Sequence, residues 1–198
     1  MKKKFQSQKS FTLIEILTVV FLSVIIVAAG YYLYSMSYQS FKKSSASAEV
    51  TQNARIALER MTRDIRQAVE IVTVLPETPD SPVSELKFQD GHNLWPGGGG
   101  KIQYITYSLS DNNLHRKISH YAFYDVQDDW VLWSTIRGSG SHHEHPTEFF
   151  NPSDDVIKAE KITALHFWGE NVININLTAS DGPNTYHFET KVLGRNVQ

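Results

Sequence analysis

The sequence contains no cysteine, which excludes disulfides, thiolate metal sites and thiol catalysis in any compartment. Whatever folds here is held by packing alone. Nor is there an excess of positive charge. A formal net charge of −2 over 198 residues lacks the basic footprint of a nucleic-acid-binding domain. Acid is missing from the first ten residues, which instead hold Lys2, Lys3, Lys4 and Lys9. Charge of either sign is missing from Ile16 to Tyr34, and neither proline nor glycine interrupts the stretch between Gly30 and Pro76. A helix that continues past Gly30 therefore meets no breaker until Pro76.

What is present bounds the class. Apolar residues make up 41% and aromatics 12%, enough to bury a core, so the length suits one globular domain plus one long additional element. The run ILTVVFLSVIIVAAGYYLY, Ile16–Tyr34, matches the roughly 20 apolar residues that cross a bilayer core of about 30 Å. The lysines before it, against Lys42 and Lys43 after it, predict an N-terminus in the cytoplasm. Tyr31, Tyr32 and Tyr34 fall where an aromatic belt sits, and the following domain is extracytoplasmic. A secretory signal has a shorter apolar core and a small-residue cleavage site. Here Ala28-Ala29-Gly30 leads on into aromatics. A plain signal anchor has no use for Glu15, an acid at the start of the run with no basic neighbour. Such an acid costs about 2.5–3.5 kcal/mol in a membrane segment and is by default a functional candidate.

Lys9-Ser10-Phe11-Thr12-Leu13-Ile14-Glu15 and the run after it resemble the class III signal of type IV pilins and type II secretion pseudopilins. The resemblance implies cleavage of the Ser10–Phe11 bond by a prepilin peptidase, N-methylation of Phe11, and an assembly role for Glu15 as the fifth mature residue. Ser10 stands where the family usually has glycine. Physically, cleavage creates a cationic amine, and Glu15 can pair with it, its own or a neighbour's. Two opposite charges paired in a low-dielectric setting cost far less than either alone, and the pair fixes register.

Beyond the run, Ala54, Leu58, Met61, Ile65, Ala68 and Val72 recur at helical spacing and predict an amphipathic helix packed on its own domain. Arg55, Glu59, Arg60, Arg63, Asp64, Arg66 and Glu70 are assigned to its polar face, with i,i+4 pairs Glu59–Arg63, Arg60–Asp64 and Arg66–Glu70. After Pro76, Pro79 and Pro82 the pattern alternates. Strands are expected at 85–90, 101–110, 114–124, 130–137, 161–168, 171–178 and 185–192, with turns at Asp111-Asn112-Asn113 and Gly169-Glu170-Asn171. The expected fold is α+β: a long N-terminal helix, half transmembrane and half amphipathic, on an antiparallel sheet, pilin-like by the resemblance. The expected divisions are a leader at 1–10, a transmembrane and assembly helix at 11–34, an amphipathic helix at 35–75, and a β-rich domain at 76–198. The segments Ala54–Ala68, Tyr107 with Leu114-His115-Arg116, and Lys191 with Arg195-Asn196 also resemble minor subunits. J-type pseudopilins and W-type minor pilins are the nearest types.

Other constellations are weaker. His142, His143 and His145 around Glu144 are donors of the type that holds zinc, nickel or copper, but an extended loop points neighbours apart and helical His spacing is absent. Asp128-Asp129 and Asp154-Asp155 lack the alternating pattern of a calcium loop. Gly97–Gly100 with Lys101 fails the phosphate-loop pattern, because Trp95 and Ile102 occupy required positions. Trp130 and Trp133 are assigned to core packing, the alternative being exposed aromatics that bind glycans or partners. No cofactor and no catalytic constellation is expected. The reading is a non-enzymatic minor pilin or pseudopilin in the inner membrane, partnered by a prepilin peptidase and other pilin-type subunits. A second reading is a tip adhesin or a DNA-uptake subunit, the one case in which nucleic acid becomes a partner.

Overall fold

The computed structural model describes residues 12–91, 101–138 and 143–194. It is α+β. One helix, α1, covers Leu13–Gln67. Eight strands follow: β1 Leu86–Gln89, β2 Tyr104–Ser110, β3 Asn113–Phe123, β4 Val126–Val131, β5 Thr147–Glu160, β6 Ile162–Trp168, β7 Val172–Ser180 and β8 Thr185–Leu193. The chain divides into two compact units, residues 1–46 and 47–198.

Among the described residues, the first unit contributes helix alone. Its side chains from Leu13 to Phe41 are almost all exposed, the apolar ones included. The polar stretch Ser35–Ser47 is helical throughout.

In the second unit the apolar stripe of α1 packs on the sheets. Val50, Ala54, Ala57, Leu58, Met61 and Ile65 are buried in one core with Leu86, Phe88, Ile105, Tyr107, Leu165, Phe167, Ile173, Ile175, Leu177 and Val192. The strands form two antiparallel sheets. One is ordered β1-β2-β3-β4, with β5 also paired to β3; the other is β6-β7-β8. Alternation sets the buried face. Ile173, Ile175, Leu177 and Ala179 of β7 point inward while Asn174, Asn176 and Thr178 point out, as a half-buried strand requires. The β2–β3 hairpin turns through Asp111 and Asn112, at φ 50° and 60°. Two consecutive left-handed residues make the tight turn that matches strand twist, and Asn and Asp tolerate it best after glycine. Gly169, at φ 109°, opens the β6–β7 turn; a Cβ there would lie 2.0 Å from the carbonyl oxygen of Val172.

Four expectations need correction. The helix stops at Gln67, although its stripe was read to Val72. Backbone bonds from Val69 N–H to Gln89 O and from Val72 N–H to Lys87 O draw this segment alongside β1, so its apolar residues serve a sheet edge. Arg66–Glu70 consequently is not a helical pair. Asp64, assigned to the polar face, is 2% exposed. The strand expected at 130–137 is centred earlier, at Val126–Val131, and the fourteen-residue β5 was not expected at all.

Candidate assembly segment

The N-terminal end of α1 is built by Thr12 and Glu15. The Thr12 N–H and its hydroxyl both donate to Glu15 Oε2, each at 2.9 Å, and Glu15 N–H donates to Thr12 Oγ1 at 3.4 Å. This is a reciprocal capping box: residues three apart satisfy each other's otherwise unpaired helix-end donors. Its sequence signal is threonine followed three residues later by glutamate ahead of an apolar run. Among the described residues Glu15 has no cationic partner. Ser10 and Phe11, the expected cleavage and methylation positions, lie outside the described residues.

From this cap, α1 runs through the uncharged stretch. It is the one described helix long and apolar enough to cross a membrane, with a mean hydropathy of 2.6 over its best window and none of that window buried. Thr18 and Ser23 fold their hydroxyls back onto the carbonyls of Ile14 and Val19, both at 2.7 Å. That pattern removes the side-chain polarity of a hydroxyl within an apolar helix. A carboxylate at the first turn also suits the positive end of the helix dipole.

Two polar clusters in the globular unit go beyond the sequence expectations, which held only the Arg60–Asp64 pair of the first. In the core, Asp64 of α1 accepts from Tyr107 Oη at 2.8 Å and from Arg116 Nε at 2.8 Å, and pairs with Arg60 Nε at 3.2 Å. Burial and the Asp64 charge push the Tyr107 phenol well above its ordinary value. On the opposite face of the β1-β2-β3 sheet, Lys87 Nζ donates to Glu148 Oε2 at 2.7 Å and to Tyr121 Oη at 3.3 Å. Both clusters cross-link elements of the unit.

The remaining candidates disperse. His142 lies outside the described residues. His143 and His145 are exposed on either side of Glu144, whose carboxylate is taken by Arg137 at 2.7 Å. Among the described residues no group of three or more His, Cys, Asp or Glu side chains is placed to hold a metal. Asp155 pairs with His115 Nδ1 at 2.8 Å. The tryptophan assignment is corrected: Trp130 stacks on His120 at 4.1 Å, with Lys101 Nζ 4.6 Å from its ring, and Trp133 is exposed. Among the described residues the buried aromatics are instead Phe88, Tyr104, Tyr107, Phe123 and Phe167. Asn176, start of the Asn176-Leu177-Thr178 sequence, sits mid-strand in β7 with its side chain outward. No protein-family model matches the chain, and no curated protein matches it.

Proposed function

We propose that this chain is a minor pilin or pseudopilin: a structural subunit, not a catalyst, that initiates or caps a type IV filament after a prepilin peptidase removes residues 1–10. The observation that carries the reading is the carboxylate of Glu15 in the first turn of a helix that is otherwise apolar and uncharged to Tyr34. In the free chain that carboxylate closes a capping box with Thr12. It thereby sits at the helix end to which cleavage at Ser10–Phe11 would bring a new amine. The α+β architecture, with the second half of the helix covered by antiparallel sheet, is consistent with a pilin-like fold. In this reading the helix lies in the inner membrane with its N-terminus in the cytoplasm. Its partners are the peptidase and neighbouring pilin-type subunits.

The test is N-terminal sequencing and intact mass of the full chain co-expressed with a prepilin peptidase. A mature chain beginning at N-methylated Phe11 supports the reading. A chain still beginning at Met1 overturns it, unless Ser10→Gly restores cleavage.

A further inference from the structure

The outward face of α1 in the globular unit carries two adjoining grooves that share Glu59. One, about 560 Å³, is lined by Glu59, Thr62, Arg63, Arg66, Gln67 and Leu193. The other, about 480 Å³, extends it along Thr51, Gln52, Arg55 and Ile56. The groove is cationic with apolar patches. Arg63 has only the exposed Glu59 at 3.3 Å, and Arg55 and Arg66 make no ion pair with the described residues. Ile56 and Leu193 are exposed beside them.

A shape of opposite character stands elsewhere on the same unit. Opposite β3, strand β5 pairs Phe150 with Ser119 and Asp155 with Lys117. A single residue of β3, Ile118, therefore faces four of β5, Asn151 to Asp154, and those four bulge from the ladder. The bulge is fully exposed. It is stiffened by Pro152 and by the Ser153 N–H donating to Asn151 Oδ1 at 3.2 Å. Asp154, its last residue, has no cationic partner among the described residues, and Phe150, Val156 and Ile157 on either side are exposed.

We propose that the Asn151–Asp154 bulge of one copy of this chain seats in the arginine groove of a second copy, with Asp154 against Arg66 and the flanking apolar side chains against Leu193. Charge and apolar character are complementary, and the two surfaces lie on different elements of one unit. The contact is heterologous, so it leaves a free groove at one end of a pair and a free bulge at the other. Such a contact propagates into an open chain unless it closes into a ring. The proposal deepens the filament-subunit reading and rests on it for the membrane setting.

The absence of cysteine provides a clean test. Full-length Gln67→Cys and Ser153→Cys chains, carrying tags of different size, are co-expressed with a prepilin peptidase and oxidised in membranes. The expected result is a mixed disulfide about tenfold above that of a Thr185→Cys and Ser153→Cys pair, with the yield falling as salt rises, as charge-steered contacts do. Adding Arg66→Glu to the first chain, or Asp154→Arg to the second, removes that excess; adding both restores it, the signature of a direct pair. Equal cross-linking of the two cysteine pairs, or no recovery in the double reversal, overturns the interface. N-terminal sequencing of the same membranes separates the two claims. Mature Phe11 without the cross-link overturns the interface alone. Cross-linking of chains that still begin at Met1 retains the interface and overturns the processing reading.

Discussion

Arg116, on β3, donates through Nε to Oδ2 of Asp64, on α1, across 2.8 Å, and the aspartate is almost wholly enclosed. The rest of the buried face of α1 is apolar, and apolar burial is by itself non-directional. A buried carboxylate that must meet Arg116, Tyr107 and Arg60 together fixes one register. Polar groups in a core act this way when every member is satisfied.

Asp64→Ala strands the Arg116 guanidinium, itself only 12% exposed. Removing one partner of a buried pair typically costs about 3–5 kcal/mol, because the other charge stays buried and unpaired. Chemical denaturation of the full chain in detergent should show a loss of that order. Asp64→Asn, which keeps an acceptor for Tyr107 or Arg116, should lose less. Equal losses for the two variants would mean that the charge is immaterial and that packing alone matters.

The Lys87–Glu148 pair gives a pH dependence. Burial works to raise the Glu148 carboxyl, but the hydrogen bond from Lys87 and the nearby charges of Lys87 and Lys117 outweigh it and hold the group below its ordinary value of 4.5. Burial likewise works to lower Lys87, yet Glu148 and Tyr121 leave it above its ordinary 10.5. A depressed carboxylate contributes stability that is present above pH 4.5 and lost as pH falls through the folded value. A raised lysine contributes stability that is present below pH 10.5 and lost as pH rises through the folded value. The stability gap between wild type and Glu148→Gln should therefore be flat between these limits and close on either side. A gap unchanged at pH 3 would refute the assignment.

The β2–β3 turn offers a backbone test. Asn112 sits at φ 60° and Asp111 at φ 50°, so both central residues are left-handed. Asn112→Gly should be neutral or mildly stabilising, whereas Asn112→Val, β-branched at positive φ, should cost about 1–3 kcal/mol. Thermal midpoints of the two variants check this, and a tolerated valine would show that the turn adopts another geometry.

How far the fold could be read from the sequence depended on whether one face of an element is buried. β7 was legible because Ile173, Ile175 and Leu177 alternate with Asn174 and Asn176, and one side faces the core. The stripe from Ala54 to Ile65 was legible for the same reason. β5 was not, because it pairs only with β3, is exposed over most of its length, and carries Pro152 and a bulge. With neither face consistently buried, no alternation is written into it. Proline and bulges are devices by which edge strands discourage further pairing, and in a sequence they read as loop. The true end of α1 was hidden because Ala68 and Val72 keep helical spacing, although Ala68 N–H closes the last turn on Ile65 O and the backbone of Val69 and Val72 already bonds Gln89 and Lys87 of β1. Arg116 and Tyr107 gave no hint of Asp64, since that triad exists only after the sheet closes on the helix. The capping box was different. Thr12 and Glu15 carry the capping-box spacing in the sequence itself, three residues apart at the start of an apolar run.

That local partner makes the role of Glu15 separable from its charge. Glutamine supports a capping box as glutamate does. Glu15→Gln should therefore keep the first turn of α1 and the accumulation of the chain in membranes, while removing the carboxylate that would meet the Phe11 amine. Thr12→Ala does the reverse: it removes a cap worth about 1 kcal/mol and leaves the charge. If Glu15 acts in assembly as an anion, incorporation into filaments should drop at least as far in Glu15→Gln as in Glu15→Ala, and only modestly in Thr12→Ala. If it acts as a cap, glutamine should assemble like wild type, and Thr12→Ala should match Glu15→Ala. Shearing and quantifying filament-associated chain in all three variants, with N-terminal sequencing to confirm that each was cut, decides between the two. Normal assembly by Glu15→Gln would remove charge pairing as the reason for an acid at this position.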